Sequence, residues 1–105
     1  WLPAPQAPPP LDGVIKMRGL PFTATKQDIV LFFAGNGLAE DNVLIVYGRD
    51  GRPTGEAYTT FDGPGADIRG ALAKHRQMLG SRYVELFMTT KAEVDQVRNA
   101  GVLLV

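Results

Sequence analysis

From Gly13 onward the apolar positions recur first at every second residue, then at spacings of three and four. That alternation of periods predicts strands interleaved with helices. Val14-Ile15-Lys16-Met17-Arg18 reads as a strand with Ile15 and Met17 on one face and Lys16 and Arg18 on the other. Gly19-Leu20-Pro21 ends it. Thr25 and Asp28 form a Thr-x-x-Asp capping pattern ahead of Ile29, Phe32 and Phe33 at helical spacing, and Gly35 and Gly37 stop that helix. Val43 to Tyr47 is a second strand, followed by the turn-rich Gly48-Arg49-Asp50-Gly51-Arg52-Pro53. Gly55 to Phe61 alternates again, with Ala57, Thr59 and Phe61 opposite Glu56, Tyr58 and Thr60. Ile68, Ala71, Leu72, His75 and Leu79 give a second helix, roughly Ala66 to Leu79, its apolar stripe. Tyr83 to Met88 is the fourth strand. The order is βαββαβ, an α+β sandwich of the ferredoxin-like kind: a four-stranded antiparallel sheet backed by two helices. The expected strand order is fourth, first, third, second, around a core of Ile15, Met17, Phe32, Phe33, Ala57, Phe61, Leu72, Val84 and Leu86.

The two ends of the chain differ from this pattern. Five of the eight prolines fall between Pro3 and Pro10. Such a run lacks backbone donors and favours extended geometry, so residues 1–11 are expected to be a stiff linker, with a ligand for a proline-binding module as the functional alternative. The folded domain is expected over residues 12–90. In the remaining 91–105, Thr90-Lys91-Ala92-Glu93 is a capping box, and Val94, Val97 and Ala100 suit one side of a third helix. Val102-Leu103-Leu104-Val105 is an unbroken apolar terminus, which the sequence leaves free to cover the sheet, to bind a second copy, or to be a severed end.

Composition narrows the chemistry. With 105 residues and 45% apolar content, the chain is one globular domain. Eleven basic and eleven acidic residues cancel, so binding to a polyanion has to rest on a local site. The absence of cysteine excludes disulfides, thiolate catalysis and Cys-ligated metals, and the single histidine, His75, excludes a multi-His metal site. No cofactor, metal or small-molecule substrate is expected, and no stretch approaches the ~20 apolar residues of a membrane span. The start Trp1-Leu2-Pro3 has no signal-peptide pattern, so the expected source is a soluble intracellular protein.

Two strings then carry functional information. Ile15-Lys16-Met17-Arg18-Gly19-Leu20 and Thr54-Gly55-Glu56-Ala57-Tyr58-Thr59-Thr60-Phe61 occupy the two central strands where RNA-recognition motifs keep their signatures. The usual module stacks bases on three aromatics of these strands. Here two of the three positions are Lys16 and Glu56, and only Tyr58 is aromatic. The expected sheet face is therefore a charged surface of Lys16, Glu56 and Glu85 with Tyr58 among them, and a poor base platform. Arg18-Gly19-Leu20-Pro21-Phe22, Gly51-Arg52-Pro53-Thr54-Gly55-Glu56-Ala57-Tyr58 and Arg82-Tyr83-Val84-Glu85-Leu86-Phe87 resemble the quasi-RNA-recognition motifs of heterogeneous nuclear ribonucleoproteins F and H. Fusilli-type epithelial splicing regulators and the G-rich-sequence-binding factors share much of this wording. The resemblance runs from about Val14 to Val97. It implies recognition of single-stranded G-rich RNA by loops at one edge of the sheet, in a nuclear and also cytoplasmic protein of RNA processing such as splicing.

Carried over by position, the resemblance implies contacts from Arg18 and Phe22 on the first strand–helix loop, Arg49 and Arg52 on the loop after the second strand, and Arg82 and Tyr83 opening the fourth strand. The chemistry is sound in itself, since guanidinium groups bond guanine edges or phosphate and flat rings stack on unpaired bases. Each residue also has a structural reading. Phe22 could plug the first helix, Arg52 could be a solvated turn residue, Tyr83 could pack under a loop, and Arg18 could pair with Glu56 or Glu85. His75 is read as packed or at an edge rather than catalytic. A second function class remains open, a protein-interaction module holding its partner on the sheet or the tail. An enzyme of the same topology, of the acylphosphatase kind, would need an asparagine to position water, and Asn36, Asn42 and Asn99 stand in no such motif.

Overall fold

The alternation of Val14-Ile15-Lys16-Met17-Arg18 forms strand β1 (Val14–Arg18) at the centre of the sheet, where apolar side chains are needed on the core face. The computed structural model describes residues 13–105, so the proline-rich start lies outside the described residues. Strand β2 spans Val43–Tyr47 and β3 spans Pro53–Thr60. β3 pairs antiparallel with β1, Lys16 opposite Tyr58, and β2 pairs antiparallel with β3, Leu44 opposite Tyr58. Helix α1 (Lys26–Phe32) starts at the expected capping box: Asp28 N–H donates to Thr25 Oγ1, and Thr25 N–H donates to the Asp28 carboxylate. Ile15, Met17, Ile29, Phe33, Ala57, Phe61, Val84 and Leu86 are all buried in one cluster between sheet and helices. Phe32 and Leu72, expected in the core, are only half-buried at its margin.

Three features depart from the sequence reading. Helix α2 is a short Ile68–Leu72, begun by the Asp67 side chain accepting from Gly70 N–H, and it does not run to Leu79. Past Leu72 the chain tightens: Lys74 N–H bonds Ala71 C=O, and His75 N–H bonds Leu72 C=O. The Lys74 ammonium meanwhile donates to the Phe32 and Ala34 carbonyls at the end of α1, at 2.9 and 3.1 Å. The expected fourth strand divides. Met78–Leu79 (β4) and Arg82–Tyr83 (β5) form a separate two-stranded hairpin, and Glu85–Thr89 (β6) pairs with β1. Buried Val84 is the joint, accepting from Arg76 N–H at 2.7 Å and donating to Gln77 C=O at 3.0 Å.

The third departure is an added strand, which follows the third helix that the Thr90 capping box predicts. Helix α3 (Lys91–Asn99) forms from the Thr90 cap, and Leu103–Leu104 becomes strand β7. The sheet thus has five strands in the order β6-β1-β3-β2-β7, the expected four plus one at the β2 edge. The apolar tail joins the sheet as an edge strand on β2, with Leu103 and Val105 about half-exposed. Val105 and Ile45 exchange both backbone bonds, at 2.8 and 3.0 Å, which closes an edge that would otherwise invite pairing. A second apolar cluster of Val14, Val46, Tyr58 and Val94 lies on the sheet face away from α1 and α2, so α3 adds a third layer.

Candidate nucleic-acid interface

Of the charges expected on the sheet face, Lys16 and Glu56 pair with each other, while Glu85 is in no ion pair with the described residues. Glu56 lies 3.7 Å from the Lys16 ammonium and 3.8 Å from Arg18 Nε, half-exposed pairs that contribute about 0.2–1 kcal/mol each. Tyr58 is different from its expectation. It is 3% exposed, covered by α3, and its hydroxyl donates to Glu93 at 3.3 Å. The reason lies in the capping box: Thr90 accepts from Glu93 N–H, but the Glu93 carboxylate turns to the phenol. Burial first, then the neighbouring Glu93 carboxylate and the bond to it, then Glu56, push the Tyr58 phenol from 10.0 up to about 12. The folded state therefore holds this proton more tightly than the unfolded chain. The stabilisation is fully present below pH 10 and is lost as pH rises towards 12, by an amount on the order of 2 kcal/mol. Denaturant unfolding at pH 8 and pH 11 should show about half of that fall, and Tyr58→Phe should reduce it. Tyr58→Ala should lower stability while changing RNA affinity little in protein that remains folded.

The edge beside this face is built from three loops drawn together by backbone contacts. Leu20 N–H donates to Gly55 C=O at 2.9 Å, tying the β1–α1 loop to the start of β3. Gly19 and Gly55 have φ of +83° and +85°; a Cβ on Gly19 would stand 2.8 Å from the Tyr83 carbonyl, and one on Gly55 would stand 3.1 Å from the Leu20 carbonyl. Only glycine allows both the torsion and the approach. The loops so joined present Phe22 at 59% exposure and Tyr83 at 67%, far from the burial that a helix plug or a loop underlay would require. The Arg82 guanidinium lies over the Phe22 ring, 5.4 Å from its centroid, a cation–π arrangement. Arg52 and Phe22 line one groove of about 480 Å³ with Pro53 and Thr54.

The remaining candidates are distributed differently. Arg18 lies on the sheet face, paired with Glu56 and 5.9 Å from the Phe87 ring, as its structural reading anticipated. Arg49 faces a second groove, towards α3, and is separated from Phe22 and Arg52 by the loop that carries it. Arg76, which the sequence reading missed, lines a cleft with Tyr83 and Glu85. It has φ of +67°, the one non-glycine residue in that region among the described residues, and its N–H bond to Val84 C=O holds the conformation. An unbroken helix to Leu79 would have placed Arg76 on a solvated helical face. Gly70 does not mark the stop, because it lies inside the short helix with its N–H bonded to Asp67. His75 is exposed, accepts Leu86 N–H at Nδ1 and meets the Phe87 ring edge-on, so its role is structural.

An antiparallel sheet with α1 and α2 on one side, and a loop edge rich in arginine and exposed aromatics, defines a class of single-sheet recognition module. A family model described as RRM domain matches residues 15–104, and the chain belongs to that family, the RNA-recognition motifs. It is 43% identical over 83 residues to human G-rich sequence factor 1, covering 79% of this chain and 17% of the relative. It is 39% identical over 83 residues to human heterogeneous nuclear ribonucleoprotein H, covering 79% of this chain and 18% of the relative. The chain thus spans under a fifth of the length of the curated relatives it matches. Among solved structures, the Glorund qRRM2 domain superposes with a TM-score of 0.71 at 39% identity, covering 79% of this chain and 94% of that one. The resemblance to quasi-RNA-recognition motifs therefore holds in both sequence and fold. The domain is an RNA-binding module and not an enzyme.

Proposed function

We propose that the domain binds single-stranded, G-rich RNA with its loop edge, through Phe22, Arg52, Arg82 and Tyr83, with Arg18 and Arg76 at the flanks. The observation that carries this reading is the Arg82–Phe22 pair, an exposed ring already covered by a guanidinium at 5.4 Å. A base inserted beside that pair meets an aromatic face and a bidentate donor together. Arg52, Arg76 and Arg82 form no ion pair with the described residues, so their donors are available to guanine O6 and N7 or to phosphate. The names of the relatives support the choice of G-rich strands, and by the same likeness the whole protein works in RNA processing such as splicing, in the nucleus and also the cytoplasm. Residues 1–11 serve as its linker. The alternative, a protein partner held on the sheet or tail, has less room, because α3 covers part of that face and β7 closes the β2 edge.

Titrating the domain with labelled G-rich, GU-rich and poly-A strands at fixed salt tests the reading. The G-rich strand should bind tightest; equal binding to all three would remove the G-rich preference, and binding to none would move the function to protein interaction. Because stacking on Phe22 and Tyr83 needs unpaired bases, the same strand folded into a quadruplex by potassium should lose its binding, while lithium should preserve it. Few phosphate contacts and zero net charge also predict a shallow dependence of log affinity on log salt.

A further inference from the structure

The two edges of the five-stranded sheet are finished differently. β7 closes the β2 edge, whereas β6 forms the other edge with no strand beyond it among the described residues. Along β6 the backbone groups alternate between facing β1 and facing outward. Glu85, Phe87 and Thr89 stand opposite Arg18, Lys16 and Val14, while the Leu86 N–H turns outward to His75 Nδ1 at 2.9 Å. Leu86, Met88 and Thr90 therefore present their backbone groups at the open edge. Thr90 belongs to that row because its φ of −129° and ψ of 158° keep it extended.

Parts of this edge are already engaged. Arg76 and Gln77 take both backbone groups of Val84, His75 takes the Leu86 N–H, and the Val94 N–H takes the Thr90 C=O. What is left is the Leu86 C=O, both groups of Met88 and the Thr90 N–H, which bond no described residue. The Thr90 N–H is left over because the Glu93 carboxylate, which would complete its capping box, bonds Tyr58 instead. An antiparallel copy of this row, turned about Met88, complements it group for group. The two Met88 residues exchange both bonds, and each Leu86 C=O accepts from the Thr90 N–H of the other copy. The engaged Leu86 N–H and Thr90 C=O face each other in that register, so no bond within the chain has to break.

We infer that β6 is a self-association edge, at which a second copy of this chain pairs antiparallel across a two-fold axis at Met88. That complementarity favours a second copy over an unrelated strand, and so do the side chains it brings together. Exposed Met88 meets its own counterpart on one face, and exposed Phe87 meets Thr89 of the second copy on the other. Glu85, in no ion pair with the described residues, comes towards the opposite charge of Lys91 of the second copy. An isologous contact of this kind closes at two copies and runs one sheet through both. The seam is short, so the dimer forms only at roughly 0.1 mM and above.

The test uses the whole chain. Sedimentation equilibrium up to roughly ten times that concentration should show monomer giving way to dimer and to nothing larger. Met88→Lys and Met88→Glu each place like charges on the axis, so each alone should stay monomeric. An equimolar mixture of the two should recover the dimer, with circular dichroism and thermal melts confirming that both are folded. Because the chain has no cysteine, Met88→Cys introduces a single thiol. In a glutathione redox buffer it should form a disulfide dimer at least about tenfold faster than Met78→Cys, an exposed methionine on the separate β4–β5 hairpin. Wild type that stays monomeric throughout, or Met88→Cys no faster than Met78→Cys, overturns the second copy and leaves the edge to an extended segment of another protein. Dimers that persist in both charged variants, or a mixture that stays monomeric, overturn the axis at Met88. If a charged variant fails to fold, the cysteine comparison decides alone.

Discussion

Replacing Phe22 or Tyr83 by alanine should weaken binding of a G-rich single strand by ~1–3 kcal/mol each, a loss of about five- to 150-fold. Both rings are largely exposed and neither belongs to the buried clusters, so their removal should leave the fold intact. Circular dichroism and a thermal melt establish that before affinity is compared. Arg82→Ala should cost a similar amount and should couple to Phe22, since the guanidinium lies on that ring. In a double-mutant cycle the combined loss should therefore be less than the sum of the single losses. Tyr58→Ala gives the contrast, a stability loss without an affinity loss, because its ring is under α3. Unchanged affinity in folded Phe22→Ala and Tyr83→Ala would overturn the loop-edge reading and favour the protein-interaction one.

The largest stability effect should come from Phe33→Ala, at ~3–5 kcal/mol. Phe33 is 1% exposed and stands at the centre of an aromatic group. Its ring meets Phe32 at 5.0 Å and Phe61 at 5.1 Å, both edge to face, with the Lys74 ammonium 6.0 Å from its centroid. Removing it opens a cavity that the flanking strand and helix cannot close, and it loses the edge-to-face contacts as well. For a domain whose total stability is of the order of 5–15 kcal/mol, that is a large share. Phe32→Ala should cost clearly less, because Phe32 is half-buried at the margin of the same cluster. Urea denaturation of both variants measures the difference, and equal losses would contradict the assigned core.

What was legible along the chain were the features decided locally. The period-two alternation of Val14–Arg18 and Gly55–Phe61 determines which side chains share a face, whatever the strands pair with. The Thr25–Asp28 and Thr90–Glu93 spacings mark helix starts because a cap needs only residues three apart. Phe22 and Tyr83 could be nominated from motif wording, and Gly19 and Gly55 stand beside them for the sterics of their loops. Other features depended on partners far away in sequence. Helix α2 stops at Leu72, and the chain beyond it is held by Lys74 reaching the end of α1 and by Arg76 bonding Val84, neither of which a helical stripe records. That stop carries Arg76 to the Tyr83 cleft. Tyr58 left the exposed face because Glu93, 35 residues later, took its hydroxyl and α3 came down over it. Arg49 and Arg52 look equivalent on one loop, yet the path of the loop between α3 and Phe22 assigns them to different grooves. Periodicity and capping are set by neighbours in the chain, so a sequence displays them. Helix ends, burial of a half-polar face and the direction of a loop arginine are set by which distant groups satisfy each other's hydrogen bonds and apolar surface, and only the folded chain brings those groups together.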